Sequence, residues 1–149
     1  MSLSLKNYFL KIIGTGPELE RLKLKYPNKN LIFAGFMKNK DVHKEIQISS
    51  VVVSATKLYE GQPTLLCEAS LTSVPVIFPK SGGIKEFLPK NYKFLFEQNN
   101  YDELKRVMLT IINSDLNKIG SENKIFINNL MDKENLLEVF TKATNKWSP

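Results

Sequence analysis

Apolar positions in this chain fall into short runs, separated by stretches where they recur every three or four residues. "YFLKII" (8–13) is an apolar run ending at Gly14 and reads as a buried strand. "PELERLKLKY" (17–26) follows, with Pro17 at an expected first helical position and leucines at helical spacing. "NLIFAG" (30–35) is strand-like and stops at a glycine, and "KDVHKEIQIS" (40–49) is a modest helix with Val42 and Ile46 four apart. "VVVS" (51–54) is β-branched and short, as a buried strand would be.

"VPVIFPK" (74–80) is a further apolar run, followed by "SGGIKEFL" (81–88), a glycine turn into a short helix. "KFLF" (93–96) is the last strand candidate. "YDELKRVMLTIINS" (101–114) is amphipathic, with Leu104, Val107, Met108, Ile111 and Ile112 on one face. Residues 115–149 read as two helices with a loose polar end. Short apolar runs alternating with helical stretches predict an α/β domain, a Rossmann-like, doubly wound parallel sheet flanked by helices. In such sheets ligands sit beyond the carboxyl ends of the strands, against helix N-termini. The loops Gly14–Pro17, Gly35–Met37, Ala55–Pro63 and Ser81–Gly83 each follow an expected strand, so they are expected to line one edge.

Composition narrows the class. At 149 residues, 42% hydrophobic and 24% charged, the chain suits one globular domain and not a disordered one. No apolar run approaches the roughly 18–20 residues that a membrane span requires, and the start is a poor secretory signal. "MSL" (1–3) reads as an expression leader. The single cysteine, Cys67, excludes an internal disulfide and a multi-cysteine metal site, so no metal is expected and a cytoplasmic setting is the default. The net charge of +6 comes mostly from scattered lysines, with arginine only at Arg21 and Arg106. That is a solvated lysine surface, with mild attraction to phosphate or anionic lipid, and no nucleic-acid groove is expected.

The chemistry lies in the loops. "GTGP" (14–17) sets two glycines between a strand and a helix, where backbone can approach a ligand. Leu19 occupies the place of a third fingerprint glycine, and no acidic residue ends the next strand, which weakens a nicotinamide dinucleotide reading. A tight turn with no ligand fits this stretch equally well. "EGQPTLLCE" (60–68) is the stronger signal. Pro63 fixes a helix start, residues 61–65 offer backbone N–H groups at its positive end, and such a cluster suits phosphate or sugar hydroxyls.

Glu60 precedes that end and Glu68 lies about five residues into the helix, too far apart to share a proton. A carboxylate among Leu65, Leu66, Cys67 and Ala69 calls for a partner, and a ligand hydroxyl would serve. The plainer alternative makes Glu60 a capping charge and Glu68 a surface residue. In "KSGGIKEF" (80–87) Ser81 is a candidate cap, Gly82 and Gly83 could approach a ligand, and Glu86 complements the helix dipole. His43 reads as solvent-exposed, Cys67 as core and Trp147 as an anchor for a terminal helix.

"LKIIGTGPELERLK", "NLIFAGF" and "VVVSATKLYEGQPTLLCEASLTSVPVIFPKSGGIKEF" resemble, in that order, the carboxyl-terminal, donor-binding domain of family 4 glycosyltransferases, retaining enzymes of the GT-B fold. The likeness covers about residues 9–112, centres on Glu60 and Glu68, and is nearest to enzymes of bacterial capsule and surface-polysaccharide synthesis. It implies a hexosyltransferase using a nucleotide-diphosphate sugar as donor, with no separate cofactor. Glu60 would hold the transferring sugar as the catalytic carboxylate, and Glu68 would bind the ribose hydroxyls. The backbone of Gln62, Pro63, Thr64 and Leu65, beside Gly61, would meet sugar and diphosphate. Gly14 and Gly16 would border the diphosphate cleft, and Gly35 and Phe36 would lie near the base.

Two departures stand out. Gln62 replaces the aromatic residue most frequent there, and the family's basic pair that binds the diphosphate, one strand–helix unit upstream of "LKIIGTG", has no counterpart. The resemblance therefore implies a single domain (1–149) whose partner is the amino-terminal domain of the same enzyme, together with a glycan or lipid-linked acceptor. Peripheral association of the full-length enzyme with the inner face of the membrane is compatible with it, and the fragment alone is expected to be inactive. The alternatives are a non-catalytic nucleotide-binding or interaction domain, a GT-B sugar-nucleotide epimerase, which the glutamate pair disfavours, and the weakened nicotinamide oxidoreductase.

Overall fold

The computed structural model describes residues 8–145. The expected leader (1–3) and Trp147 lie outside them. The chain divides into two compact units between Glu45 and Ile46. The first holds β1 (Leu10–Ile13), α1 (Leu19–Lys25), β2 (Leu31–Gly35) and most of α2 (Asn39–Ile48). The second holds β3 (Val52–Val53), α3 (Thr64–Leu71), β4 (Val76–Pro79), a 3-10 turn (Ile84–Phe87) and β5 (Leu95–Phe96), followed by α4 (Tyr101–Ile111), α5 (Leu116–Leu130) and α6 (Lys133–Asn145). Every strand pairing among the described residues is parallel, as expected, in the orders β1–β2 and β3–β4–β5.

In the first unit Leu10 pairs with Leu31 and Ile12 with Phe33, and the register shifts at Ile13, which stands opposite Gly35. The expected burial of this strand is not observed: Phe9 is 70% exposed and Leu10 and Ile12 are both 37% exposed. With these side chains exposed, the apolar run lacks the cover on both faces that makes a parallel strand a core element. Helix α1 starts at Leu19, two residues after the expected Pro17, because Pro17 and Glu18 form a turn in which Leu19 N–H reaches Gly16 O at 3.1 Å. Lys11 Nζ pairs with Glu45 Oε2 at 2.5 Å and ties β1 to α2, where Val42 is half-buried and Ile46 buried.

The second unit carries the core. All four residues of β4 are buried, and the strand touches both α3 and α4. Alternation along a strand sends successive side chains to opposite faces, so Ile77 joins Phe96 and Ile111 in one cluster. Leu104, Val107, Met108 and Ile112 pack on that cluster, which is the face expected for α4. Asn100 caps α4 by accepting Glu103 N–H, and Asp115 caps α5 by accepting Lys118 N–H.

Strand β5 begins late relative to β4, and Tyr92 fills the gap: its hydroxyl donates to Val76 O at 2.5 Å and accepts Val76 N–H at 3.1 Å. Burial pushes that phenol's pKa up. Helix α3 stops in a Schellman arrangement, with Val74 N–H on Ala69 O and Ser73 N–H on Ser70 O. Ser73 takes the left-handed position at φ 61°. Gly120 of α5 lies directly against the carbonyl of that turn. No helix among the described residues is long and apolar enough to cross a membrane.

Candidate functional site

The expected site residues fall into both units. In the first, Gly14 and Gly35 stand at the carboxyl ends of β1 and β2, joined by Gly14 N–H to Gly35 O at 2.8 Å. Gly35 has φ +70°, a backbone that a β-carbon disfavours, and Phe36 beyond it is 76% exposed. A Cβ built on Gly14, Gly16 or Gly35 meets nothing within 4 Å among the described residues. Space for a ligand or neighbour therefore exists beside this turn.

In the second unit the loop from 54 to 63 leaves the carboxyl end of β3 and carries Glu60, Gly61, Gln62 and Pro63 to the start of α3. Pro63 is buried at the N-cap with φ −78° and ψ 91°, and the first intrahelical bond is Cys67 N–H to Pro63 O at 3.1 Å. Pro63 has no N–H, so it cannot donate to a ligand as a member of the 61–65 cluster. Its contribution is to fix the helix start, which leaves the amides of Gly61, Gln62, Thr64 and Leu65 as the donors there. An eight-residue helix concentrates its positive end on the first-turn N–H groups.

Within α3 the sides are clearly divided. Leu66, Cys67, Ala69 and Ser70 are buried, whereas Thr64, Leu65 and Leu71 are exposed and Glu68 is half-buried. Residues three and four apart share a helix face, so Glu68 lies with Thr64 and Leu65, away from the core. Helical side chains tilt toward the N-terminus, so the Glu68 carboxylate leans toward the open first turn. Of the apolar neighbours that made Glu68 look buried in sequence, Leu66, Cys67 and Ala69 point inward, whereas Leu65 shares its exposed face. Burial, aided by the Glu68 charge, raises the Cys67 thiol's pKa, which keeps it protonated and agrees with a core role.

Glu60 is half-buried and held from several directions. Thr56 Oγ1 donates to Glu60 Oε1 at 3.4 Å and accepts Leu58 N–H at 3.1 Å. Gly83 N–H donates to Glu60 O at 2.8 Å. A Cβ on Gly82 would lie 2.2 Å from Glu60 O, and one on Gly83 would lie 2.5 Å from Gly61 O. The close approach permitted by this glycine pair is thus to the protein's own backbone, beneath Glu60. Ser81, expected as a cap, instead donates from Oγ to Leu58 O at 3.4 Å.

Sequence reasoning missed Gln98. Its Nε2 donates to Thr56 O at 3.3 Å and Leu58 O at 3.4 Å, across about 40 residues of chain. No local pattern announces such a contact. Thr56 did carry a signal, a threonine two residues before a turn amide, as in other hydroxyl-stabilised turns. Beside Gln98, Lys80 Nζ pairs with Glu97 Oε1 at 2.8 Å, which lowers the Glu97 pKa and raises that of Lys80. His43 is exposed, as expected. A groove of about 500 Å³, lined by Lys93, Phe94, Val107, Asp115, Lys118 and Ile119, holds none of the candidate residues.

This ordered set, from the glycine turn to the Glu60–Glu68 helix, lies inside a match to the family described as "Glycosyl transferases group 1", which spans residues 2–133. The chain belongs to that family. No curated protein matches it. Among solved structures, the chain is similar to Alr3699/HepE of Anabaena, solved with UDP and with UDP-glucose. The TM-score is 0.72 at 19% identity, over 93% of this chain and 41% of that one.

Sucrose-phosphate synthase of Thermosynechococcus elongatus matches with a TM-score of 0.72 at 16% identity, over 92% of this chain and 38% of that one. TarM matches with a TM-score of 0.71 at 22% identity, over 90% and 28%. The likenesses show an α/β, GT-B glycosyltransferase fold. The chain spans about two fifths or less of the length of these structures.

Proposed function

We propose that the chain is the donor-binding domain of a retaining glycosyltransferase. It would bind a nucleotide-diphosphate sugar for transfer to a glycan or lipid-linked acceptor, in bacterial surface-polysaccharide synthesis. The observation that carries this reading is the placement of the two carboxylates about one helix end. Glu60 lies in the loop before α3, and Glu68 is on the outward face one turn in, with Thr64 and Leu65. HepE, of the same fold, was solved with UDP-glucose, which supports the choice of donor class.

In this reading the first-turn amides of α3 face the diphosphate. They would stabilise the charge that grows on the departing phosphate as the sugar bond breaks. Glu60 holds the sugar hydroxyls and faces the positive charge that develops at the sugar centre. Glu68 accepts hydrogen bonds from the ribose. The remainder of a longer enzyme, at the inner face of the membrane, would supply the acceptor and exclude water by closing over the donor. Neither carboxylate serves as the acid or base partner of the other.

Titration with UDP-glucose, followed by amide resonances, is expected to shift Gly61, Gln62, Thr64 and Leu65. Replacing Glu68 with Ala removes a charged hydrogen bond worth about 1.5–3 kcal/mol, so affinity should fall roughly 10- to 150-fold. No shift at millimolar UDP-glucose would overturn the donor reading. Sugar transfer by this chain alone, measured with UDP-glucose, is expected to be absent.

A further inference from the structure

We propose that Gln98 is a positioning residue: its side-chain amide latches the loop that carries Glu60 and sets the direction of that carboxylate. The loop from 54 to 63 has no regular structure, so its backbone polar groups need partners from elsewhere. Ordering such residues costs conformational entropy, and a loop left to itself would sample many conformations. The contacts made by Gln98 oppose this at two points. One amide NH₂ carries two hydrogens, and two carbonyls, Thr56 O and Leu58 O, lie at 3.3 and 3.4 Å. Leu58 O also accepts from Ser81 Oγ, so both of its lone-pair directions are used.

The two latched residues are the start and the middle of the turn in which Thr56 Oγ1 reaches Glu60 Oε1. Thr56 is therefore held at its backbone by Gln98 and touches the carboxylate with its hydroxyl. Gln98 acts on Glu60 through Thr56 and the loop, and touches no candidate ligand position itself.

The latch has a rigid base. Glu97 N–H donates to Glu103 Oε2 at 2.8 Å, and Asn100 N–H donates to Glu97 O at 2.9 Å. Asn99 adopts φ 68°, and Lys80 pairs with the Glu97 side chain at 2.8 Å. The turn after β5 is thereby fixed to the N-terminus of α4 before Gln98 reaches across to the loop. The second anchor, Gly83 N–H on Glu60 O, holds the far end of the same turn.

The chemistry picks the test. The substitution Gln98→Glu keeps the shape of the side chain, removes its donor and sets a negative charge against two carbonyl oxygens. Gln98→Lys restores donors at that end. In Gln98→Glu we expect the backbone ¹⁵N{¹H} NOE of residues 56–61 to fall, with thermal unfolding within about 2 °C of the parent. Affinity for UDP-glucose should fall about three- to tenfold. Gln98→Lys should recover most of both, a rescue that loss of generic packing would not show.

An unchanged NOE in Gln98→Glu overturns the latch, and so does unfolding that falls in step with loop order. Reduced loop order with unchanged UDP-glucose affinity overturns its role in aiming Glu60. The affinity arm rests on the donor reading, whereas the loop-order arm does not. A parent chain that ignores UDP-glucose would sink the donor reading, and the NOE would still decide whether Gln98 holds the loop.

Discussion

Two glycine turns follow strands in this chain, and they use glycine in opposite ways. At Gly14–Thr15–Gly16 the space a β-carbon would take is open, with nothing within 4 Å of Gly14 or Gly16 among the described residues. At Ser81–Gly82–Gly83 that space is already filled by the carbonyls of Glu60 and Gly61, at 2.2 and 2.5 Å. In sequence both are strand–glycine–helix junctions and both invite a ligand. In the structure one turn leaves open space, while the other packs against the backbone of Glu60 and Gly61. A glycine shows that something comes close, and only the surrounding chain shows what.

The largest expected effect marks the filled extreme. A Cβ on Gly120 would lie 1.9 Å from Ser73 O and 3.4 Å from Pro75 Cδ, so α5 would have to move off the end of α3. Gly120→Ala is expected to destabilise the chain by about 3 kcal/mol or more, as overpacking against backbone does. The melting temperature should fall by roughly 6–12 °C. A change under about 1 kcal/mol would mean that this contact yields freely, and that Cβ distances to backbone do not sort the glycines.

Next comes Gly82→Ala, which combines a left-handed φ of 55° with the approach to Glu60 O. The backbone strain costs about 1–2 kcal/mol, and displacement of the Glu60 loop adds to it. We expect a total near 2–3 kcal/mol by chemical denaturation, with amide shifts concentrated at residues 56–62. Loss of stability without those shifts would break the link between this turn and Glu60.

What the sequence made legible follows the same division. "VIFP" at β4, the apolar face of α4 and the break at Pro63 were readable because each is set by neighbours a few residues away. The pairing of Glu60 with Glu68 about one helix start was readable for the same reason. The exposure of Leu10 and Ile12 was not, since an apolar run carries no record of what packs over its faces. Nor were the Tyr92 hydroxyl that stands in for a ladder partner of Val76, or Gln98, 42 residues from Thr56. Glu68 falls between the two cases. Its apolar neighbours suggested burial, and only the helical phase shows that Leu66, Cys67 and Ala69 point the other way while Leu65 shares its open face.

The smallest effect on stability is expected at Gly16, and it bears most directly on function. Its backbone lies outside the left-handed region, and a methyl group there meets nothing among the described residues. Gly16→Ala should leave stability unchanged or raise it by about 0.4–1 kcal/mol, because alanine restricts the unfolded chain more than glycine does. If the open space receives the donor diphosphate, the same methyl group stands where a phosphate must approach backbone. UDP-glucose affinity should then fall about fivefold or more while the melting temperature holds. Were affinity to stay at the parent value, the turn after β1 would be a chain reversal and no part of the site. Recognition would then rest with the Glu60–Glu68 helix, and the open turn and the filled one would differ in packing alone.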